Sequence, residues 1–185
     1  GRRLFPCLFG SALRLEGVGQ LLELLDRWTR QPAYPAQFGA RVFKITRDSQ
    51  GARLSHLKIT GGTLHVKDLL SGRRPDGQPW QEKVDQIRLY SGSKYQAVPQ
   101  AEAGSVCAVT GLKETWAGEG LGDEARSPAP RLEPVLSYRL VLPEGTDPHQ
   151  ALSQLRQLEE EDPQLHLAWN SVLGEIHLRL MGEIQ

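Results

Sequence analysis

The chain has 185 residues, and its 22 Lys and Arg balance 22 Asp and Glu, so the formal net charge at pH 7 is zero. With 39% hydrophobic and 24% charged residues, the composition is that of a soluble globular protein with one or two domains. The neutral balance excludes a protein whose overall basic charge coats DNA or RNA, and the apolar runs are too short to span a membrane.

The two cysteines indicate a reducing compartment. Cys7 and Cys107 are far apart in sequence, and each lies in an apolar run, so both are predicted to be core thiols. The first residues lack the order of a signal peptide, and we expect a cytoplasmic protein with no membrane or DNA partner. Since Met181 is the only methionine, we also expect the chain to be a piece of a longer one.

Residues 1–34 contain an apolar run and a helix. Leu4 to Phe9 are nearly all apolar and predict a buried strand, followed by a turn at Gly10 to Leu13. Val18 to Thr29 carries apolar residues at spacings of three and four, which predicts one apolar helical face. A buried strand needs neighbours on both sides, and none precedes it. We therefore expect residues 1 to about 30 to be poorly packed or covered by another molecule.

Residues 35–122 have the texture of short strands. Strands are predicted at Val42–Ile45, Leu57–Thr60, Thr63–Val66, Val84–Leu89 and Ser105–Thr110. Gly61-Gly62 predicts a hairpin between the second and third of these. Turn residues recur between the strands, at 48–51, 71–79, 91–93 and 104. Five or six short strands with no helix between them favour a small closed β-barrel.

The last third of the chain changes character again. Residues 118–131 are rich in Gly, Pro and Ala and predict a linker, whose bounds we set at 123–131. In residues 132–185 a strand at 135–142 precedes a helix capped by Asp147 and Pro148, and two strands follow at 165–169 and 175–180. The order β-α-β-β is most of a ferredoxin-like unit, and Gly182 to Gln185 predicts the start of its second helix.

The sequence contains no catalytic motif in the structural context that the motif requires. It has no phosphate-binding loop, and Ser91-Gly92-Ser93-Lys94 matches a β-lactamase motif only in letters, because it lies in a glycine-rich turn. The five histidines lack metal-ligand spacing, although His56 and His65 are predicted to lie on neighbouring strands. The acidic run Glu159 to Asp162 is interpreted as a solvated helix end. We predict no catalytic residue and no metal site.

Local basic patches are the remaining candidates for contact with RNA. One is Arg73-Arg74. The other is a scattered set on the predicted barrel, namely Lys44, Arg47, Arg53, Lys58 and Lys67. The alternative is that all of these residues are part of an ordinary solvated barrel surface.

Three stretches in the right order resemble the translational GTPases, specifically elongation factor G and the tetracycline-resistance ribosomal protection proteins. Phe9 to Leu13 with Gly17 to Leu22 is similar to the last nucleotide-binding motif of the GTPase domain and its closing helix. Val42–Ile45 through Gly111 to Thr115 resembles the second-domain barrel. The third stretch, Glu159 to Pro163 with Leu173–Leu178 and Met181 to Glu183, is similar to the third domain.

This resemblance implies a fold and a set of partners. The fold is multi-domain, mainly β plus α+β: a GTPase-domain remnant at 1–34, a translation-factor β-barrel at 35–122, and a truncated ferredoxin-like domain at 132–185. Ser11, Ala12 and Leu13 would contact guanine in the longer protein, which would use GTP and Mg. The present chain alone is expected to bind no cofactor and to be inactive, because it lacks the phosphate loop and switches.

The implied partners are the ribosome and small-subunit rRNA. Within the family, Arg53 to Asp68 is similar to the hairpin of the protection proteins, which release tetracycline from the small subunit using GTP. Residues 179–184 depart from the usual elongation factor G run, which fits a divergent relative. Two alternatives remain: an elongation factor G paralogue acting in translocation, and a non-enzymatic ribosome-binding module.

Overall fold

The structure, a computed structural model, describes residues 5–30, 32–127 and 134–182, and the chain divides into two compact units, 1–33 and 34–185. The helices and strands are, in chain order, α1 (Val18–Trp28), β1 (Gly39–Arg47), β2 (Arg53–Gly61), β3 (Thr63–His65), β4 (Leu69–Arg73), β5 (Pro79–Lys83), β6 (Gln86–Ser91), β7 (Lys94–Val98), β8 (Gln100–Glu102), β9 (Val106–Thr110), β10 (Gly120–Gly122), β11 (Leu136–Arg139), α2 (Pro148–Glu161), β12 (His166–Asn170) and β13 (Glu175–Leu180).

The first unit, where the structure describes it, consists of one helix and an irregular segment. α1 forms where the apolar spacing predicts it, and none of its residues is buried. The predicted buried strand at Leu4 to Phe9 is wrong for its described part: residues 5–10 are irregular, and Phe9 is 95% exposed. An apolar run becomes a buried strand only where other strands cover it, and this unit offers a single helix. Cys7 is exposed, so the prediction of a core thiol there is also wrong. The expected poor packing is confirmed, since no described residue in 5–30 is buried.

The predicted β-barrel is confirmed, with a single core lined by every part of it. Six antiparallel strands form a sheet in the order β10-β1-β2-β9-β6-β7, and the pairs β3–β8 and β4–β5 complete the wall. The core includes residues from all three sheets, such as Leu57, Leu64 and Trp80, each at most 6% exposed. Cys107 is in this core as predicted, and burial raises the pKa of its thiol to about 11.

The predicted hairpin at Gly61-Gly62 is wrong. β2 pairs with β1 and β9, whereas β3 pairs with β8, so the two glycines form a corner between sheets. Gly62 has a φ of 59°, its N–H donates to Pro35 O at 2.9 Å, and a Cβ there would lie 2.9 Å from Phe38 N. The glycines therefore serve the close approach of residues 35–38 and do not reverse a hairpin.

Two predicted loops contain strands. The glycine-rich stretch at 118–122 has the composition of a linker, but β10 pairs with β1 there, and Leu121 is 1% exposed. Because its glycines have no side chains, the strand fits against Glu124 and Ala125, where a Cβ at Gly120 would collide. The predicted turn at 71–79 is shorter than expected, since β4 and β5 pair from Leu69–Lys83 to Arg73–Pro79.

The βαββ part is confirmed. β11, β12 and β13 form an antiparallel sheet in the order β11-β13-β12, so the second strand of the β12–β13 hairpin lies between the other two, as in a split βαβ unit. The Asp147 carboxylate accepts the N–H groups of His149 and Gln150, each at 3.2 Å, which caps α2 as predicted. The first strand is shorter than predicted. The predicted second helix at Gly182 to Gln185 lies almost wholly outside the described residues.

Candidate functional site

The residues predicted to contact guanine form a tight, exposed turn. Ser11 N–H donates to Glu16 O at 3.0 Å, and Glu16 N–H returns a bond to Ser11 O at 3.1 Å. This bridge places Ala12 and Leu13 at the tip, where Leu13 is 95% exposed. The turn can offer backbone groups to the edge of a flat ring, but no phosphate-binding loop accompanies it in the sequence. Its role in binding guanine stays a prediction.

A depression of about 680 Å³ opens beside the β4–β5 hairpin, and we call it the β4–β5 pocket. Its floor is the indole of Trp80 and the carboxylate of Glu119, and its rim carries Arg73, Arg74 and Arg126. Gly72 lies opposite Trp80 in the hairpin. A Cβ at Gly72 would collide with Glu119 Oε1 and lie 2.6 Å from the Trp80 ring, so only glycine fits.

Glu119 is the buried polar centre of this pocket. Its Oε1 accepts Trp80 Nε1–H at 2.9 Å and Arg73 N–H at 3.2 Å, and its Oε2 accepts Trp116 N–H at 3.3 Å. Burial raises the pKa of the Glu119 carboxyl above its ordinary value, and these three donors only partly oppose that effect. One side chain thereby joins β4, β5 and the segment that precedes β10.

The rim of the β4–β5 pocket combines guanidinium groups with the half-buried indole of Trp116. The Arg126 guanidinium lies 4.5 Å from the Trp116 ring centroid, and Trp116 Nε1–H donates to Arg73 O at 3.0 Å. Among the described residues Arg73 Nη1 bonds a backbone carbonyl alone, Gly77 O at 3.2 Å, whereas Arg74 pairs with Glu114 at 2.6 Å. A guanidinium group that is held by ring stacking or by a neutral acceptor keeps its positive charge unpaired. Its N–H donors can therefore bind phosphate oxygens.

The acidic run at the end of α2 is not merely a solvated helix end, which corrects the interpretation from its sequence. Glu160 Oε2 accepts Arg53 Nε–H at 3.1 Å and Arg47 Nη2–H at 3.3 Å. Arg53 Nη1 also donates to Leu112 O at 2.8 Å and Thr115 Oγ1 at 3.0 Å. Arg47 and Arg53, two of the candidates for RNA contact, therefore bind the Glu160 carboxylate of α2 instead.

The other barrel cations are scattered. Lys67 pairs with Asp85 at 3.7 Å, Lys58 donates to Gly104 O, and Lys44 is exposed beside His56. They do not meet at one place, so only Arg73 and Arg74 of the predicted basic residues belong to a shaped site.

His56 bonds Thr46 Oγ1 at 2.8 Å and His65 lies 3.5 Å from Asp68, in separate sheets. In the described part of the chain no group of three His, Cys, Asp or Glu could hold a metal ion.

Sequence reasoning missed the residues that shape the pocket. Trp80, Trp116, Glu119 and Arg126 lie in stretches that look like turn or linker by composition. The available signal is Trp80 itself, since a tryptophan bounded by turn residues needs apolar cover and a partner for its N–H.

Among helices of the described residues, none has the length and apolar character needed to cross a membrane.

Most of the residues that line the pocket lie in a stretch that matches a known domain family. Residues 37–124 match the model of elongation factor G domain 2. Elongation factor G of Amoebophilus asiaticus is 24% identical over 97% of this chain, and ribosome-releasing factor 2, mitochondrial, of Drosophila yakuba is 27% identical over 99%. The oxytetracycline resistance protein of Streptomyces rimosus is 29% identical over 97%.

A solved structure agrees with these matches. A crystal structure of a protein from Thermus thermophilus covers 91% of this chain with a TM-score of 0.70 and 27% identity. The chain spans 26% of that protein and 27–28% of the three relatives named above. Residues 37–124 thus match elongation factor G domain 2, and the chain as a whole is similar to part of the elongation factor G-like proteins.

Proposed function

We propose that this chain is the part of a ribosome-associated translational GTPase that seats the protein on small-subunit rRNA, in the cytoplasm. The observation that carries the proposal is the β4–β5 pocket. Its rim residues Arg73 and Arg74 lie in the stretch that matches elongation factor G domain 2, and Arg126 lies two residues beyond it. Phosphate groups suit Arg73 and Arg126, because both guanidinium groups are oriented by neutral partners. The binding is therefore mostly to the RNA backbone and depends on salt.

GTP and Mg belong to the longer protein in this proposal. Ser11, Ala12 and Leu13 would lie over the guanine base, which needs only a short exposed turn. Phosphate and Mg²⁺ contacts supply most of the binding free energy of such nucleotides, and the printed sequence contains no loop for them. We expect the 185-residue chain to show no sub-millimolar affinity for GTP in isothermal titration. A measurable sub-millimolar affinity would contradict this assignment.

For the task of the longer protein we propose protection of the ribosome from tetracycline. The 29% identity to an oxytetracycline resistance protein supports this choice. The second candidate is translocation, which the match to elongation factor G domain 2 and the 24% identity to an elongation factor G favour. Expression of the full-length gene in a tetracycline-susceptible host separates the two. Protection predicts a raised tolerance of tetracycline, whereas a translocation factor leaves tolerance unchanged and supports growth when elongation factor G is depleted.

The seating function has its own test. Labelled chain is titrated with purified small subunits at about 50 mM and about 200 mM salt. Arg73→Ala and Arg126→Ala are compared with Arg156→Ala, an exposed arginine on α2 away from the pocket. We expect the two pocket variants to weaken binding and to flatten its salt dependence, while the α2 variant matches the wild type. Equal binding at both salt concentrations would count against phosphate contacts.

A non-enzymatic ribosome-binding module would share the pocket but not the GTPase domain. The sequence of the gene around this chain decides between these hypotheses. A phosphate-binding loop in the same reading frame supports a GTPase, and its absence favours the non-enzymatic module.

A further inference from the structure

A second surface of the barrel, on the outer face of the six-stranded sheet, carries a row of rings that we call the aromatic face: Phe43, His56, Tyr90 and Tyr95. Leu57 and Ile87, the sequence neighbours of His56 and Arg88, are in the core. Because side chains alternate along a strand, His56 and Arg88 lie on the opposite, outward side.

The strand register aligns this face across five strands. Lys44 pairs with His56, His56 pairs with Ala108, and Ala108 pairs with Arg88. Tyr90 is two residues beyond Arg88 on the same side of β6, and it pairs with Tyr95 of β7. Ala108 lies on this outward side and outside the core cluster, yet it is fully buried. The larger side chains around it therefore cover it.

The rings form a continuous row. Their centroids are 6.0 Å apart from Phe43 to His56, 6.3 Å from His56 to Tyr90 and 5.4 Å from Tyr90 to Tyr95. Phe43 is 48% exposed, Tyr90 40% and Tyr95 50%. Three large rings that are half exposed in one row leave an apolar patch in contact with water, which is unusual for a protein surface. A partner with flat rings would cover this patch.

The charges on this face identify the partner. The Arg88 guanidinium lies 4.4 Å from the Tyr95 ring centroid and is held by Asp48 at 2.9 Å. Lys44 is exposed at one end of the row and Lys94 at the other. A partner with flat apolar rings and a negative backbone satisfies both features, and a single strand of nucleic acid has this combination. An apolar peptide would offer no negative charge to the exposed Lys44 and Lys94.

We propose that the aromatic face binds a single-stranded RNA segment by stacking its unpaired bases on Tyr95, Tyr90 and Phe43. The face is separate from the β4–β5 pocket, since the two share no residue. The choice of RNA over DNA rests on the proposed function, whereas the stacking does not. A duplex cannot bind in this way, because its bases are already stacked on one another.

The test uses the full 185-residue chain and fluorescence anisotropy of a labelled strand of about ten uridines, compared with an RNA duplex of the same length. We expect the single strand to bind more tightly than the duplex. Tyr95→Ala and Phe43→Ala should each weaken single-strand binding at least about fivefold, the lower end of what one stacked base contributes. Tyr138→Ala on β11 removes a tyrosine of similar exposure elsewhere, 42% against 50% for Tyr95, and should leave binding unchanged.

Several outcomes would overturn the inference. These are tighter binding of the duplex, equal binding by the Tyr95→Ala and Tyr138→Ala variants, and tighter binding of a labelled proline-rich peptide than of the RNA. Photo-crosslinking of an iodouridine-substituted strand to the wild-type chain gives a readout that needs no variant. Adducts should map to Tyr90 or Tyr95, and adducts only near Trp116 would contradict the proposal.

The two proposals fail separately. Loss of small-subunit binding in Arg73→Ala with normal uridine binding supports the pocket, and the reverse pattern in Tyr95→Ala supports the aromatic face. If Tyr95→Ala leaves uridine binding unchanged while Arg73→Ala weakens subunit binding, the inference is wrong and the proposed function stands.

Discussion

Arg53 Nε donates to Glu160 Oε2 at 3.1 Å across 107 residues of sequence, and this bond joins the barrel to the end of α2. Arg53 is oriented for this role by its bonds to Leu112 O and Thr115 Oγ1. Because these bonds hold the guanidinium independently of Glu160, the ion pair costs little additional side-chain entropy. Arg47 adds a second cation to the same carboxylate.

We expect Glu160→Ala to lower the free energy of unfolding by about 1 kcal/mol, the upper range for a partly exposed ion pair. Glu160 is about half exposed, so the loss should shrink as salt rises. Urea unfolding at two salt concentrations measures it. Glu144→Ala, in an exposed turn, is the control. A loss that is equal in both variants, or independent of salt, would show that the pair does not stabilise the protein.

Glu119 should make stability fall as pH rises. Its pKa is raised in the folded chain, so its contribution is complete below the unfolded pKa and is lost as pH rises through the folded pKa. Relative to Glu119→Gln, the wild type should therefore become less stable above the ordinary carboxyl pKa of about 4.3. Urea unfolding at a series of pH values measures the difference.

Glu124→Gln is the matched control for this pH dependence. Hydrogen bonds from Thr60 and then Arg41 lower the pKa of the Glu124 carboxyl. Its stabilisation is therefore present above the unfolded pKa and lost as pH falls. The two variants should differ from wild type with slopes of opposite sign, and slopes of the same sign would contradict the assignment.

Gly72→Ala should destabilise the barrel by about 1–3 kcal/mol, the usual cost of overpacking. The added Cβ would meet the Trp80 ring at 2.6 Å, and Trp80 is too buried to move aside. Thermal unfolding measures the change. Gly19→Ala in α1 has no atom within 4 Å of the new Cβ and should not destabilise. An unchanged unfolding midpoint in Gly72→Ala would mean that Trp80 and Glu119 can move aside for the added methyl group.

The two cysteines should differ in reactivity. Cys7 is exposed, whereas Cys107 is buried with its pKa raised to about 11, which keeps the thiolate population small. A thiol reagent should label one cysteine rapidly in the native protein and both after denaturation. Peptide mapping of the labelled site identifies it. Rapid native labelling of Cys107 would show that the core opens.

Much of the fold follows from local signals in the sequence. Asp147-Pro148 predicts the start of α2 because the carboxylate and the fixed proline φ act within one turn of the helix. β13 alternates strictly between Glu175 and Leu180, so its strand needs no distant information. Such elements are specified by residues that are near one another in the chain.

The failures all depend on distant contacts. Whether Leu4 to Phe9 is a buried strand depends on which strands cover it. Whether Gly120–Gly122 is linker or strand depends on β1, far earlier in the chain, which supplies the hydrogen bonds. The β4–β5 pocket is hidden for the same reason, since Glu119 meets Trp80 at a sequence separation of 39.

The three-donor arrangement of Glu119 has a consequence for how this barrel can diverge. Gly72, Trp80 and Glu119 touch one another, so a change at one position leaves either a clash, an empty space or an unbonded indole N–H. Substitutions at these three positions should therefore occur together in evolution. A larger residue at 72 should be accompanied by smaller ones at 80 and 119. The side chains of Arg73 and Arg126 bond Gly77 O and the Trp116 ring instead, so they can change without such compensation.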